Sequence, residues 1–255
     1  MWHDVRMLNA ITNALLGLLA LSLVAAGFWW IAQRPMFTLK LIRVEGVSAT
    51  QLRRVNASTV RNTALPRIKG NFFSVNLDAV RQAFEAVPWV RKATVRREWP
   101  NQLIVTIEEH QPLGTWGEDG RLLSAKGDVF TANLAEAEED GELPEFAGPE
   151  GSEKEVVARY RELQDWFTPI RVAPESVQLS RRYAWTVKLD NGISVELGRE
   201  QSSTTLKERV DRLISVYPQL VAQLQDRIES VDMRYPNGLA LKAHGLALGL
   251  DGKKR

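Results

Sequence analysis

Apolar and polar positions alternate most clearly over residues 89–116, WVRKATVRREWPNQLIVTIEEHQPLGTW. Two runs of period two broken once by a Trp-Pro-Asn triplet predict an antiparallel hairpin. With Pro100, Asn101 and Gln102 as the loop, Trp99 lies opposite Leu103. The pairs Arg97/Val105, Val95/Ile107 and Ala93/Glu109 then gather most apolar side chains on one face. Proline presets a turn and asparagine tolerates left-handed backbone, so the punctuation suits the pattern. Upstream, residues 37–45 (FTLKLIRVE) alternate with a slip at Leu41-Ile42, which predicts a strand with a bulge that Gly46 ends. A short helix is expected over residues 58–65, then a loop with buried aromatics at Asn71-Phe72-Phe73. The next period is 3.6: Asn76 caps a helix with Asp78 in its first turn and Leu77, Val80, Phe84 and Val87 on one face, ended by Pro88. That stripe and the apolar hairpin face require one another, so Phe84 and Trp99 are both read as structural. The order is strand, helix, helix, strand, strand.

Beyond Trp116 the pattern changes. Turns at Asp119-Gly120 and Lys126-Gly127-Asp128 flank a short run over residues 122–125, and residues 135–142 read as an acidic loop. Ser152-Glu153-Lys154-Glu155 predicts a capping box opening a helix with Val156, Tyr160, Leu163 and Phe167 inward. Around Asp190-Asn191-Gly192 the expected pairs are Leu189/Ile193, Val187/Val195 and Trp185/Leu197. A second helix carries Leu206, Val210, Leu213, Ile214 and Tyr217. Finally, Val231, Met233 and Tyr235 are set against Leu239 and Leu241 around Pro236-Asn237-Gly238. The predicted class is α+β, the second body being mostly antiparallel sheet with two flanking helices.

The first forty residues limit what is left to fold. Residues 14–32 carry no charge, and Met7, Leu8 and Ile11 extend the apolar run. At 1.5 Å per residue this is close to a bilayer core of roughly 30 Å. Trp29 and Trp30 stand at its end, where amphipathic rings favour the headgroup zone. Val24-Ala25-Ala26 would suit a signal-peptide cleavage site, but the apolar run continues through Ile31, which favours an uncleaved anchor. Flanking charges do not set the orientation. The short tail is placed in the cytoplasm because one anchor ahead of a large folded body usually exports that body.

The chain of 255 residues has no cysteine, so disulfides, thiolate chemistry and cysteine-based metal sites are excluded. Its net charge of +2 conceals a division: residues 36–116 hold 12 basic and 6 acidic residues, whereas 117–255 hold 19 and 24. The basic body lies next to the anchor, where anionic headgroups could attract it. No nucleic-acid partner is expected for an exported domain.

No residue cluster has a strong catalytic signature. His3, His110 and His244 lack metal-ligand spacing. Ser203 or Thr204 with Lys207 could be imagined as a hydrolase pair, although hydroxyls at a helix start are far more often caps. Glu108 and Glu109 are adjacent on a strand and point to opposite faces.

An apolar anchor followed by FTLKLIRVEG, the block from GNFFSVNLDAV to EEHQPLGTW, GRLLSAKGDVF and LPEFAGPEG closely resembles the bacterial FtsQ/DivIB cell-division family. The resemblance implies residues 1–13 as a cytoplasmic tail, 14–32 as a transmembrane helix, 36–116 as a POTRA domain, 117–243 as a β domain and 244–255 as a tail. It implies a non-enzymatic inner-membrane scaffold without cofactors, single-pass type II, enriched at the septum. Its partners would be FtsB and FtsL, connecting to the septal peptidoglycan synthase pair FtsW and FtsI. By resemblance the FtsB contact falls on Tyr235, Asn237, Gly238, Leu239, Ala240 and Leu241, with Arg181 or Arg182 before the preceding hairpin. Some relatives have an aromatic just past this strand, where this chain has Lys242, Ala243 and His244. Two other classes stand as alternatives: a POTRA-type transport or chaperone protein, which would be expected to continue into a membrane barrel, and an anchored periplasmic hydrolase, which needs a clustered nucleophile and base.

Overall fold

The uncharged N-terminal run forms one helix, α1 (Val5–Ala32), whose leucines are exposed along its length. Among the described residues it is the one helix long and apolar enough to cross a membrane, over Met7–Trp30 with mean hydropathy 2.0. Its 24 residues there span about 36 Å, so the apolar run starts earlier than residue 14. The computed structural model describes residues 5–32, 37–47, 52–224, 227–236 and 238–243. These fall into two compact units dividing between Glu109 and His110.

In the first unit, α1 is followed by β1 (Leu41–Gly46), α2 (Ala57–Thr63), a 3-10 turn at Leu65–Arg67, α3 (Leu77–Glu85), β2 (Val90–Glu98) and β3 (Gln102–Glu109). The strand order is β1-β3-β2, with β1 parallel and β2 antiparallel to β3. The alternation slip at Leu41-Ile42 marks where β1 begins: its register with β3 runs unbroken, and Phe37 lies before the strand. Asn76 caps α3 by accepting from the N–H groups of Asp78 and Ala79. Val80, Ala83, Phe84 and Val87 are buried together with Ala93, Leu103, Val105 and Ile107. Asn56 caps α2 in the same way. The carboxylate of Glu109 accepts three further N–H groups, those of Arg53, Arg54 and Val55 at 2.9, 2.9 and 2.6 Å, and so ties the approach to α2 to the end of β3.

The hairpin register differs from the expected one by two residues. The observed pairs are Arg97↔Leu103, Val95↔Val105 and Ala93↔Ile107, and the loop is residues 99–101. A slip of two preserves which face each side chain occupies, so the apolar face survived the error. Trp99 did not. Released from the ladder, it stands 67% exposed at the loop, and its structural reading is corrected.

The second unit holds a nine-stranded mixed sheet in the order β12-β11-β10-β9-β8-β7-β4-β5-β6. Its strands are β4 (Pro112–Trp116), β5 (Arg121–Ser124), β6 (Val129–Phe130), β7 (Glu145–Ala147), β8 (Pro174–Leu179), β9 (Ala184–Leu189), β10 (Ser194–Arg199), β11 (Ile228–Asp232) and β12 (Ala240–Ala243). Residues 112–116, grouped with the first body in the sequence, pair here with β5 and β7. Helices α5 (Glu153–Phe167) and α6 (Thr205–Leu224) bury Val156, Tyr160, Leu163, Phe167, Leu206, Val210 and Leu213 into a core with Val177, Trp185, Val187 and Val195. The acidic stretch begins as a short helix, α4 (Leu134–Glu138), capped by Asn133. Ser152 is no capping box, because its hydroxyl donates to the Pro149 carbonyl at 2.6 Å. Trp185 pairs with Gly198, since a bulge after Glu196 inserts Leu197.

Candidate partner-binding edge

β12 closes one side of the nine-stranded sheet, and among the described residues nothing pairs with its outer edge. Its inner edge is antiparallel to β11, with Val231↔Leu241 and Asp232↔Ala240. An unpaired strand presents a row of N–H and C=O groups, which is a template for another strand. Lys242 reaches back across this pair to Glu229 at 2.5 Å.

The turn leading into β12 is held from outside. Arg212, on α6, donates from one guanidinium nitrogen to the carbonyls of Tyr235 and Pro236, each at 2.7 Å. Arg234 forks onto Asp232 at 2.6–3.0 Å and reaches Glu196 at 3.0 Å. These bonds hold the Asp232 carboxyl below the usual carboxylate range and push the Arg234 guanidinium further up. Because the Asp232 pKa is depressed on folding, its contribution is present at neutral pH and fades only as acid carries the pH down through the folded value. Buried Arg209 donates to the carbonyls of Leu197 and Arg199, spanning the bulge. Gly198 has φ +73, and a Cβ there would meet Arg234 Cγ at 2.8 Å, so the bulge, Arg209 and Arg234 fit around a missing side chain.

The two halves of the expected site share one end of the sheet. Thr186, Glu196, Asp232 and Ala240 form a row across β9, β10, β11 and β12. β9 and β12 both start at this end, so the turn carrying Arg181 and Arg182 and the turn carrying Tyr235 and Gly238 flank it. Three strand spacings separate them, about 14 Å. Arg181 and Arg182 are exposed; Tyr235 is 56% exposed and lies outside the strand it was expected to occupy. Leu239 is half-buried against the core, and Ala240 and Leu241 are exposed on β12. Asn237 and His244 lie outside the described residues.

Two residues here were missed by sequence reasoning. Tyr183 follows the arginines with φ 57 and is 59% exposed. Tyr183, Tyr235 and Leu241 are three of the four large exposed hydrophobic residues described in the second unit, Val221 being the fourth. Arg212 occupies a polar position of the helix that the sequence predicts. Its signal would have been a lone cation beside an apolar stripe, too common to single out. The imagined hydrolase pair has no support in the geometry: Lys207 is engaged by Asp211 at 2.7 Å, and Thr204 supplies the first helical carbonyl to Glu208.

Both units match known families. Residues 39–110 match the POTRA domain, FtsQ-type, and residues 114–234 match the cell division protein FtsQ/DivIB, C-terminal. The chain is 54% identical to the cell division protein FtsQ of Burkholderia pseudomallei, covering 100% of this chain and 99% of that relative. It is 42% identical to that of Bordetella pertussis (94% and 92% covered) and 33% identical to that of Aliivibrio fischeri (91% and 87%). A membrane-capable helix, a POTRA domain and a strand-rich second domain, matched along their whole length, place this chain in the FtsQ/DivIB family of cell-division proteins.

Proposed function

We propose that this chain is a non-enzymatic bitopic scaffold of the divisome that binds FtsB, together with FtsL, by strand addition at β12. Through that subcomplex it helps to assemble and regulate the septal peptidoglycan synthases FtsW and FtsI. Its helix crosses the inner membrane once as a type II anchor, with both folded units in the periplasm and the protein enriched at the septum. The observation that carries this reading is the edge of β12, unpaired among the described residues, set beside exposed Tyr235, Leu241 and Tyr183 at one end of a sheet. Main-chain groups would supply affinity, the aromatic side chains would anchor the added strand, and Arg181 and Arg182 would favour carboxylates on it.

Calorimetric titration of FtsB into the full chain tests it. Tyr235→Ala should weaken binding by about 2 kcal/mol, the scale of an aromatic hot spot, with circular dichroism unchanged. Full affinity in the folded variant would move the contact elsewhere. Arg212→Ala tests the clamp on the turn. The carbonyls it leaves are exposed, so stability should fall by only about 1 kcal/mol. FtsB affinity should fall by more, because the turn must then be ordered on binding; equal losses would reduce Arg212 to a stability role.

Retention of the anchor is checked separately. Mass spectrometry of membrane-extracted protein should find the N-terminus intact, because the apolar run passes the small-residue site at residues 24–26. A chain beginning at Gly27 would refute it.

A further inference from the structure

We infer that the aromatic cluster of Phe37, Phe72, Phe73 and Trp99 in the POTRA unit docks on the membrane that α1 crosses, seating the unit on the headgroup layer. The inference rests on reading α1 as a retained membrane helix. The cluster is built. Phe37 meets Phe73 at 4.9 Å and Trp99 at 5.8 Å between ring centroids, and Phe72 meets the same two rings at 5.3 and 5.8 Å. Phe37 and Phe72 are buried at its base, whereas Phe73 (50% exposed) and Trp99 present their rings to the outside.

The loop carrying Phe72 and Phe73 is held in place by three devices. The side-chain oxygen of Asn71 accepts from the N–H groups of Phe73 and Ser74 at 3.0 and 2.9 Å. Arg97 on β2 donates to the carbonyls of Phe72 and Val75, each at 2.8 Å. The N–H of Phe72 bonds the carbonyl of Phe37 at 2.9 Å. Two large rings fixed in water are costly unless something covers them, and their burial is worth more than that of scattered surface side chains.

Chain length and charge identify what covers them. Phe37 follows the last residue of α1, Ala32, by five residues. Five Cα steps reach at most about 19 Å, so the cluster cannot lie far from the end of the helix. That end carries Trp29 and Trp30, both exposed. Aromatic rings that are apolar in body and polar at the edge concentrate at this depth of a bilayer. Exposed lysines flank the cluster: Lys40, whose N–H bonds the Asn101 carbonyl in the Trp99 loop, and Lys69, just before the Phe72 loop. They fit an anionic lipid surface, within the basic body of the chain.

The absence of native cysteine allows single labels on the full chain. Spin-labelled Phe73→Cys, Lys92→Cys and Leu18→Cys proteins are reconstituted separately in nanodiscs of zwitterionic lipid with an anionic fraction. Collisions with oxygen, which enters lipid, are compared with collisions with a water-soluble nickel chelate. Lys92 lies seven residues along β2 from Trp99, about 23 Å in an extended strand, and reports the far end of the unit. The label at 73 should collide with the chelate several-fold less often than the label at 92, and adding Trp99→Ser or Lys40→Glu with Lys69→Glu should move it toward water. Equal chelate collisions at 73 and 92 while the label at 18 reports lipid would overturn the docking alone. A water-exposed label at 18 would overturn the membrane reading beneath it. Protection at 73 that appears only after another protein is added would assign the cluster to a protein partner and also overturn the proposal.

Discussion

Phe84→Ala is expected to destabilise the POTRA unit by about 3–5 kcal/mol, the cost of removing a large ring from a packed core. Phe84 is fully buried on the inner face of α3, among Val80, Ala83, Ala93, Leu103 and Val105, and the helix presents no other aromatic side chain to the sheet. Because the chain has two folded units, a single melting midpoint is an ambiguous readout. Native-state hydrogen exchange in the full chain resolves the units. At about 1.4 kcal/mol per decade, protection of the slowest β2 and β3 amides should fall by roughly 2 to 3.5 orders of magnitude, with the second unit unaffected. Phe73→Ala, on a half-exposed ring that meets Phe37 and Phe72, should cost clearly less, about 1–2 kcal/mol. Unchanged protection in Phe84→Ala would mean that the helix does not rest on this sheet.

That contrast between two phenylalanines shows what the sequence made legible. A period of 3.6 with an Asn cap defines α3 and its buried face through short-range chemistry, and parity places Val95, Val105 and Ile107 on one side whichever register is chosen. The exposure of Trp99 depends on where the loop ends. A loop of residues 100–102 and one of residues 99–101 both have three residues and both preserve every face, so alternation could not separate them. Phe73 is hidden because no period applies in a loop, so an apolar reading assigns both rings to the core although only its neighbour Phe72 is buried. The capping box at Ser152 failed for a different reason: a tertiary acceptor, the Pro149 carbonyl, took the hydroxyl that the local motif needed.

The candidate site was legible through family resemblance more than through local pattern. Residues 239–241 and the two arginines are unremarkable in isolation, and they become one surface only because parallel β10 and β11 place the starts of β9 and β12 at the same end of the sheet. A parallel step between strands separated by α6 cannot be read from alternation. Arg212 joins the site for the same reason, since α6 is the connection between those two strands.

The sharpest expected effect on partner binding comes from proline at the free edge. Neighbouring residues of a strand direct their N–H groups to opposite edges, so of Leu241→Pro and Lys242→Pro one removes a donor from the outer edge and the other breaks the ladder to β11. Hydrogen exchange of the Ser230 and Asp232 amides, which face β12 because Met233, of the opposite parity, donates to Glu196 next to β10, identifies which is which: the outer-edge variant leaves them protected, and the inner-edge variant exposes them. The outer-edge variant should then lose FtsB binding at least as severely as Tyr235→Ala, although no backbone hydrogen bond between β11 and β12 has been removed. Alanine at the same position should be milder, because an added strand pairs with the backbone and alanine keeps the N–H. Ala240→Ser, which keeps both backbone groups on an exposed position, should bind normally. If the outer-edge proline variant stays folded and binds FtsB at full affinity, strand addition at β12 is excluded, and the exposed tyrosines must serve a partner that reads side chains alone.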